Sequence, residues 1–168
     1  ANDYSRMYMD RGYVEVTAAL RGGPEIGVKE NDEGQGVGRG KSFEDMAAAA
    51  RWLVGQGWVE KGKLWMSGAS NGGLLVLRTA LAEPELFGAV FARSPVTDML
   101  RFMEIDLSGA YWASRAYGNP FVDSKVFDFW LQNGPLQMVD GLAGKKLPAI
   151  LIRTALGDRN VNPAHSMK

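Results

Sequence analysis

A chain of 168 residues, 46% of them hydrophobic, can bury one sizeable core, and no linker or shift in composition divides it in two. Nineteen basic and nineteen acidic residues cancel to zero formal charge, which excludes the basic field that draws proteins onto nucleic acid or an anionic membrane. The lack of cysteine excludes disulfides, thiolate metal sites and cysteine nucleophiles, and no apolar run approaches the roughly 20 residues needed to span a bilayer.

Residues 4–11 carry a helical pattern that Gly12 closes, and the β-rich run 13–20 is expected to be a strand. The glycine-loaded polar stretch 27–41 is expected to be a surface loop without a core element. Ser42 is then expected to cap a helix, with Asp45 in the acid position of a capping box and Phe43, Met46, Ala47, Ala50, Leu53 and Val54 as the apolar face. Residues 64–66 predict a short strand, 72–82 a helix closed by Glu83-Pro84, and 87–92 a buried strand. The aromatic tract 98–133 shows only broken helical periodicity and predicts short helices joined by loops. Residues 147–154 are a further apolar strand, with Asn162-Pro163 as cap and first position of a terminal helix. Strands apolar almost throughout, alternating with helices, predict an α/β fold whose mostly parallel sheet carries helices on both faces.

The densest chemical signal is Gly68-Ala69-Ser70-Asn71-Gly72, set between a strand and a helix. That context describes a sharp turn that exposes Ser70 at its apex, with Gly68 and Gly72 as small neighbours that let strand and helix approach. A nucleophilic serine needs a base, a group that orients the base, and oxyanion donors; the N–H of Asn71 is one such donor by construction. The acid is expected beyond the C-terminal end of a later strand, which favours Asp158 over Asp98. His165, the single histidine, follows Asp158 by only seven residues and is expected to pack within its helix, which leaves the base outside this polypeptide. The run 34–42 suggests a phosphate loop, but Gln35 stands where a Walker glycine is required, and no strand feeds it. No cofactor or metal is expected.

With Arg21-Gly22-Gly23, the Ser70 elbow, Glu85-Leu86-Phe87-Gly88-Ala89-Val90, Thr97-Asp98-Met99-Leu100-Arg101-Phe102 and Val161-Asn162-Pro163-Ala164-His165-Ser166 in the same order, the chain resembles the prolyl oligopeptidase family of serine peptidases. The resemblance runs nearly end to end and implies a partial α/β-hydrolase fold. It implies that Ser70 is the nucleophile, Asn71 the oxyanion donor and Asp158 the triad acid. It also implies that Val96, Trp112, Tyr117 and Val161 line the pocket for the residue before the scissile bond. Three departures stand out: Pro24 replaces a glycine, Glu30-Asn31 replace a Trp-His pair, and Asn160 replaces an arginine that anchors the substrate backbone. The family's oxyanion tyrosine would fall upstream of Ala1, its histidine downstream of Lys168, and its β-propeller outside the chain. Residues 1–168 are therefore expected to be the central part of one catalytic domain, inactive alone, from a peptidase acting on short peptides. An acylaminoacyl peptidase, an esterase or a non-catalytic binding module of the same fold are the alternatives. Sheet edges left unpaired are expected to favour self-association. Nothing in the residues fixes the compartment, the cytoplasm being favoured.

Overall fold

Alternation along the short run at 64–69 decides which way the sheet faces. Met66 is buried at 7% exposure, whereas Trp65 stands on the opposite side at 37%. The computed structural model describes residues 3–105 and 110–168, with side chains from residue 6 to 105 and from 114 onward. Three strands, β1 (Leu64–Ala69), β2 (Phe87–Arg93) and β3 (Ala149–Arg153), lie in that order and are all parallel. Register is continuous across them, with Met66 beside Val90 and Val90 beside Ile150.

The numbered helices are α1 (Asp3–Met9), α2 (Val28–Glu33), α3 (Arg39–Gly55), α4 (Asn71–Ala82), α5 (Phe102–Ile105), α6 (Ala110–Tyr117), α7 (Ser124–Asn133), α8 (Pro135–Met138) and α9 (Ala164–Met167). Apolar on nearly every side, α4 crosses from β1 to β2 and buries Val76, Leu77 and Ala80 against Met66, Phe87, Val90 and Ala92. Behind it lies α3, which contributes Ala50 to the same cluster and Phe43 to a second cluster around Trp130. Among the described residues of the aromatic tract the short helices α5, α6 and α7 are seen, as its broken periodicity predicts.

Three expectations about single segments are corrected. Residues 13–20 form no strand: Tyr13, Val14 and Val16 are more than half exposed, and no described segment lies alongside to form the ladder a strand requires. Helices stand on both faces of the sheet, as expected, although they cover the two faces unequally. The side toward α4 is buried at β1 and β2. On the other side Tyr8 of α1 meets Trp65 edge-on at 5.3 Å, while Leu151 is left 62% exposed. The stretch 27–41 is not a plain loop, because it holds α2, a 3-10 turn and the start of α3, with Gly34 and Arg39 buried. Finally, Ser42 and Asp45 lie inside α3 and do not cap it. The Ser42 hydroxyl donates to the Arg21 carbonyl, and Asp45 accepts from the Arg21 backbone N–H and guanidinium, so both residues serve a contact 21 to 24 residues away.

Candidate active site

Since β1 ends at Ala69 and α4 begins at Asn71, one residue, Ser70, turns the chain. It does so at φ 54° and ψ −120°, a conformation that costs any residue with a Cβ on the order of 1–3 kcal/mol and persists only where its surroundings impose it. Two hydrogen bonds impose it here: the Ser70 N–H donates to the Arg93 carbonyl at 2.9 Å, and its carbonyl accepts from the Leu74 N–H at 3.1 Å. The Ser70 side chain is exposed at the apex.

Close approach of strand and helix explains only part of the glycine pattern. A Cβ on Gly68 would lie 2.2 Å from the Gly72 carbonyl oxygen, so no other residue fits there. Gly72 itself faces open space, with nothing within 4 Å of the point a Cβ would occupy, so its expected steric role is not what the structure shows. Gly73 holds that role, because a Cβ there would stand 2.8 Å from Pro95.

Asn71 is the first residue of α4, and its N–H belongs to the set a helix leaves without an intrahelical acceptor, as an oxyanion donor must be. Its side chain is held by Tyr117, whose hydroxyl donates to Oδ1 at 3.0 Å.

Asp158 lies in the loop after β3, at the C-terminal end of the sheet where Ser70 also stands. The Ser94 hydroxyl and the N–H groups of Val161 and Asn160 hold its carboxyl below the usual aspartate range, the two N–H groups at 3.1 and 2.9 Å from Oδ1. A carboxylate so held stays charged and fixed, as a group that orients a catalytic base must. Ser94, at the end of β2 with φ 40°, was not singled out by the sequence; a serine directly before Pro95 at a strand end was the available signal. Its N–H donates to the Arg153 carbonyl at 2.7 Å, so each of the two serine turns hangs from the end of the neighbouring strand.

The competing acid has other partners. Asp98 is fully buried; burial alone would raise its carboxyl, but the Lys168 ammonium at 2.7 Å, Arg101 at 3.1 Å and Gln137 bring it below its ordinary value. His165, 2% exposed, sits against the same segment. Its Nδ1 accepts from the backbone N–H groups of Thr97 and Asp98 at 3.3 and 3.1 Å, and its ring lies 5.6 Å from that of Phe102. This is helix packing, as expected for that residue; Asn162 Oδ1 accepts from the Ala164 N–H, but Pro163, expected as the first helical position, itself takes the cap position of α9.

Of the expected pocket residues, Val96, Tyr117 and Val161 fall in one buried cluster with Phe102 and Trp130. Asn160 is exposed on the Asp158 loop, and the side chain of Trp112 lies outside the described residues. Glu30 and Asn31 lie in α2, where the Asn31 amide donates to the Gly22 carbonyl. No group of three or more potential metal ligands occurs among the described residues.

A strained serine thus stands between a parallel strand and a helix, with a hydrogen-bonded aspartate two strands away. The model of the prolyl oligopeptidase family matches residues 3–168. The chain belongs to the prolyl oligopeptidase family. Family relatives include the dual function macrocyclase-peptidase POPB of Amanita bisporigera, 37% identical over 158 residues that make up 94% of this chain and 21% of that protein. The prolyl endopeptidase of Elizabethkingia meningoseptica is 34% identical over 162 residues, 96% of this chain and 22% of that one. Among solved structures, a prolyl endopeptidase matches with a TM-score of 0.82 at 36% identity, over 88% of this chain and 21% of its own. Prolyl oligopeptidase B from Galerina marginata, in its apo form, matches with a TM-score of 0.80 at 35% identity, over 88% of this chain and 20% of its own. The fold is thus that of the family's α/β-hydrolase domain, and the chain spans about a fifth of the length of the relatives it matches.

Proposed function

We propose that these 168 residues are the central part of the catalytic domain of a serine peptidase that cleaves short peptides through an acyl-enzyme on Ser70. The observation that carries this reading is the elbow: an exposed hydroxyl at φ 54°, with the first N–H of α4 beside it and a fixed carboxylate after β3. In the reaction Ser70 Oγ attacks the scissile carbonyl as its proton passes to a base, and the developing oxyanion accepts a hydrogen bond from the Asn71 N–H. The C–N bond breaks as the base returns that proton to the leaving amine, and water then releases the acyl group from Ser70. Asp158 orients that base. His165 cannot be the base where it stands, with Nδ1 turned to two backbone N–H groups and 2% of its surface exposed. The base is therefore assigned to a histidine outside residues 1–168.

Val96, Tyr117 and Val161, with Trp112, would form the wall that receives the residue before the cleaved bond. Asn160, at the edge of the Asp158 loop, would hydrogen-bond the substrate backbone without the charge of the family's arginine. The relatives named as prolyl endopeptidases support a preference for proline at that position. The outer edges of β1 and β3 would also pair with a second copy of the chain. No described helix is long and apolar enough to cross a membrane.

A fluorophosphonate probe tests the reading. The full-length protein should label at Ser70 and lose labelling in Ser70→Ala, and the 168-residue chain should label slower by a factor of about 10² or more for want of a base. Labelling of the short chain at the rate of the full-length protein would refute the assignment of the base. Turnover of proline-containing peptides by the full-length protein, set against acyl-amino acids and simple esters, tests the substrate.

A further inference from the structure

Arg39 stands in a place that electrostatics disfavours three times over. It opens α3, where the positive end of the helix repels a cation. It is only 7% exposed, and burial lowers its readiness to hold a proton. Among the described residues it has no carboxylate partner, and its Nε has no acceptor at all. Buried guanidinium groups are normally paired, and a local rule broken without an evident gain in stability marks a functional position more often than a structural one.

What faces the cation is an aromatic ring. The Arg39 guanidinium carbon lies 5.1 Å from the centroid of Tyr117, within cation–π range. That ring packs T-shaped with those of Phe102 and Trp130, at 5.3 and 5.8 Å between centroids, and the Tyr117 main-chain carbonyl accepts from Trp130 Nε1. Its hydroxyl donates to Asn71 Oδ1, next to Ser70. A cation over a phenol ring draws electron density from the oxygen, which strengthens the O–H as a donor.

We propose that Arg39 is a positioning residue for the reaction at Ser70: it holds and polarises Tyr117, which in turn fixes Asn71, the residue that carries the oxyanion N–H. Arg39 touches neither substrate nor the reacting atoms. The inference rests on the peptidase reading only for its kinetic consequence; the chain of contacts from Arg39 through Tyr117 to Asn71 can be tested without it.

The variants are Arg39→Met, which keeps the bulk without the charge, Arg39→Lys, which keeps the charge, and Tyr117→Phe, each alone and with Arg39→Met combined with Tyr117→Phe. In the full-length protein Arg39→Met should lower kcat about tenfold with KM changed by less than about twofold, because an oxyanion contact acts in the transition state. Arg39→Lys should recover most of that loss, and Arg39→Met should add nothing on top of Tyr117→Phe. Independently of activity, the side-chain amide resonance of Asn71 should shift in Arg39→Met and Tyr117→Phe and stay near its original position in Arg39→Lys. A loss equal in Lys and Met, full additivity with Tyr117→Phe, or an unmoved Asn71 amide in Arg39→Met would each overturn the proposal. If the unaltered protein cleaves no peptide, the peptidase reading fails while the Asn71 resonance still decides the role of Arg39. If Arg39→Met does not fold, the same resonance in Arg39→Lys and Tyr117→Phe gives the decision: Arg39→Lys must leave it in place and Tyr117→Phe must move it.

Discussion

Replacing Gly68 by alanine isolates what the strand-to-helix turn requires of its sequence. The added Cβ would stand 2.2 Å from the Gly72 carbonyl oxygen, 2.5 Å from its carbon and 3.1 Å from the Gly73 nitrogen, all backbone atoms of the first turn of α4. No side chain can swing aside to relieve the contact, so helix and strand must separate by about 1 Å. Forcing extra volume into a packed site typically costs about 1–3 kcal/mol and more where the backbone must move. We expect Gly68→Ala to destabilise the chain by at least about 3 kcal/mol, read as a lowered urea midpoint at unchanged slope. The control lies four residues on. A Cβ at Gly72 meets nothing within 4 Å, and alanine is preferred to glycine inside a helix by about 1 kcal/mol. Gly72→Ala should therefore be neutral or slightly stabilising. Equal destabilisation by both substitutions, or a Gly68→Ala midpoint indistinguishable from that of the unaltered chain, would refute the steric account of the elbow.

Ser70→Gly should stabilise the fold by about 1 kcal/mol in the same urea titration, because glycine adopts φ 54° without strain, while probe labelling disappears. Asp158 should make the loop after β3 sensitive to acid. Its carboxyl is held below the aspartate range, so the stabilisation is fully present above the unfolded value of about 3.9 and is lost as pH falls through the folded one. Amide exchange at Asn160 and Val161 should accelerate over that acid window once the intrinsic pH dependence of exchange is divided out, and Asp158→Asn should show the faster exchange at neutral pH. Trp130→Ala, at a side chain with no exposure and a hydrogen bond to the Tyr117 carbonyl, should cost about 3–5 kcal/mol and raise exposure of the aromatic cluster to a hydrophobic dye.

Local chemistry was legible in the residues, and long-range pairing was not. The run 64–82 announces strand, turn and helix because the signals are contiguous: an apolar run, a serine among glycines, then apolar residues with helical spacing. The same logic failed at 13–20, where β-forming residues are present but a strand exists only if another segment lies beside it. Ser42 and Asp45 carry the composition of a helix cap, yet both are drawn to Arg21, a contact no window of a dozen residues contains. In the site, Ser70 and Asp158 follow from where strands end. Ser94 and Arg39 do not, because a hydroxyl at a strand end and one charge in a glycine-rich tract look ordinary until the ring or carboxylate they meet is known. Gly72 and Gly73 show the finest limit: adjacent glycines in one turn, of which only the second is sterically required.

The bonds that suspend Ser70 from Arg93 and Ser94 from Arg153 have an evolutionary corollary. Spacing between Ser70 and Asp158 is set crosswise, through two strand ends and Ser94, and residues 95–148 contribute neither of those two bonds. That excursion can lengthen, shorten or be rebuilt, altering what enters the site, while the distance from Ser70 to Asp158 is conserved by the ladder. Substitutions within residues 95–148 are therefore expected to alter the walls around Ser70 before they alter its distance from Asp158.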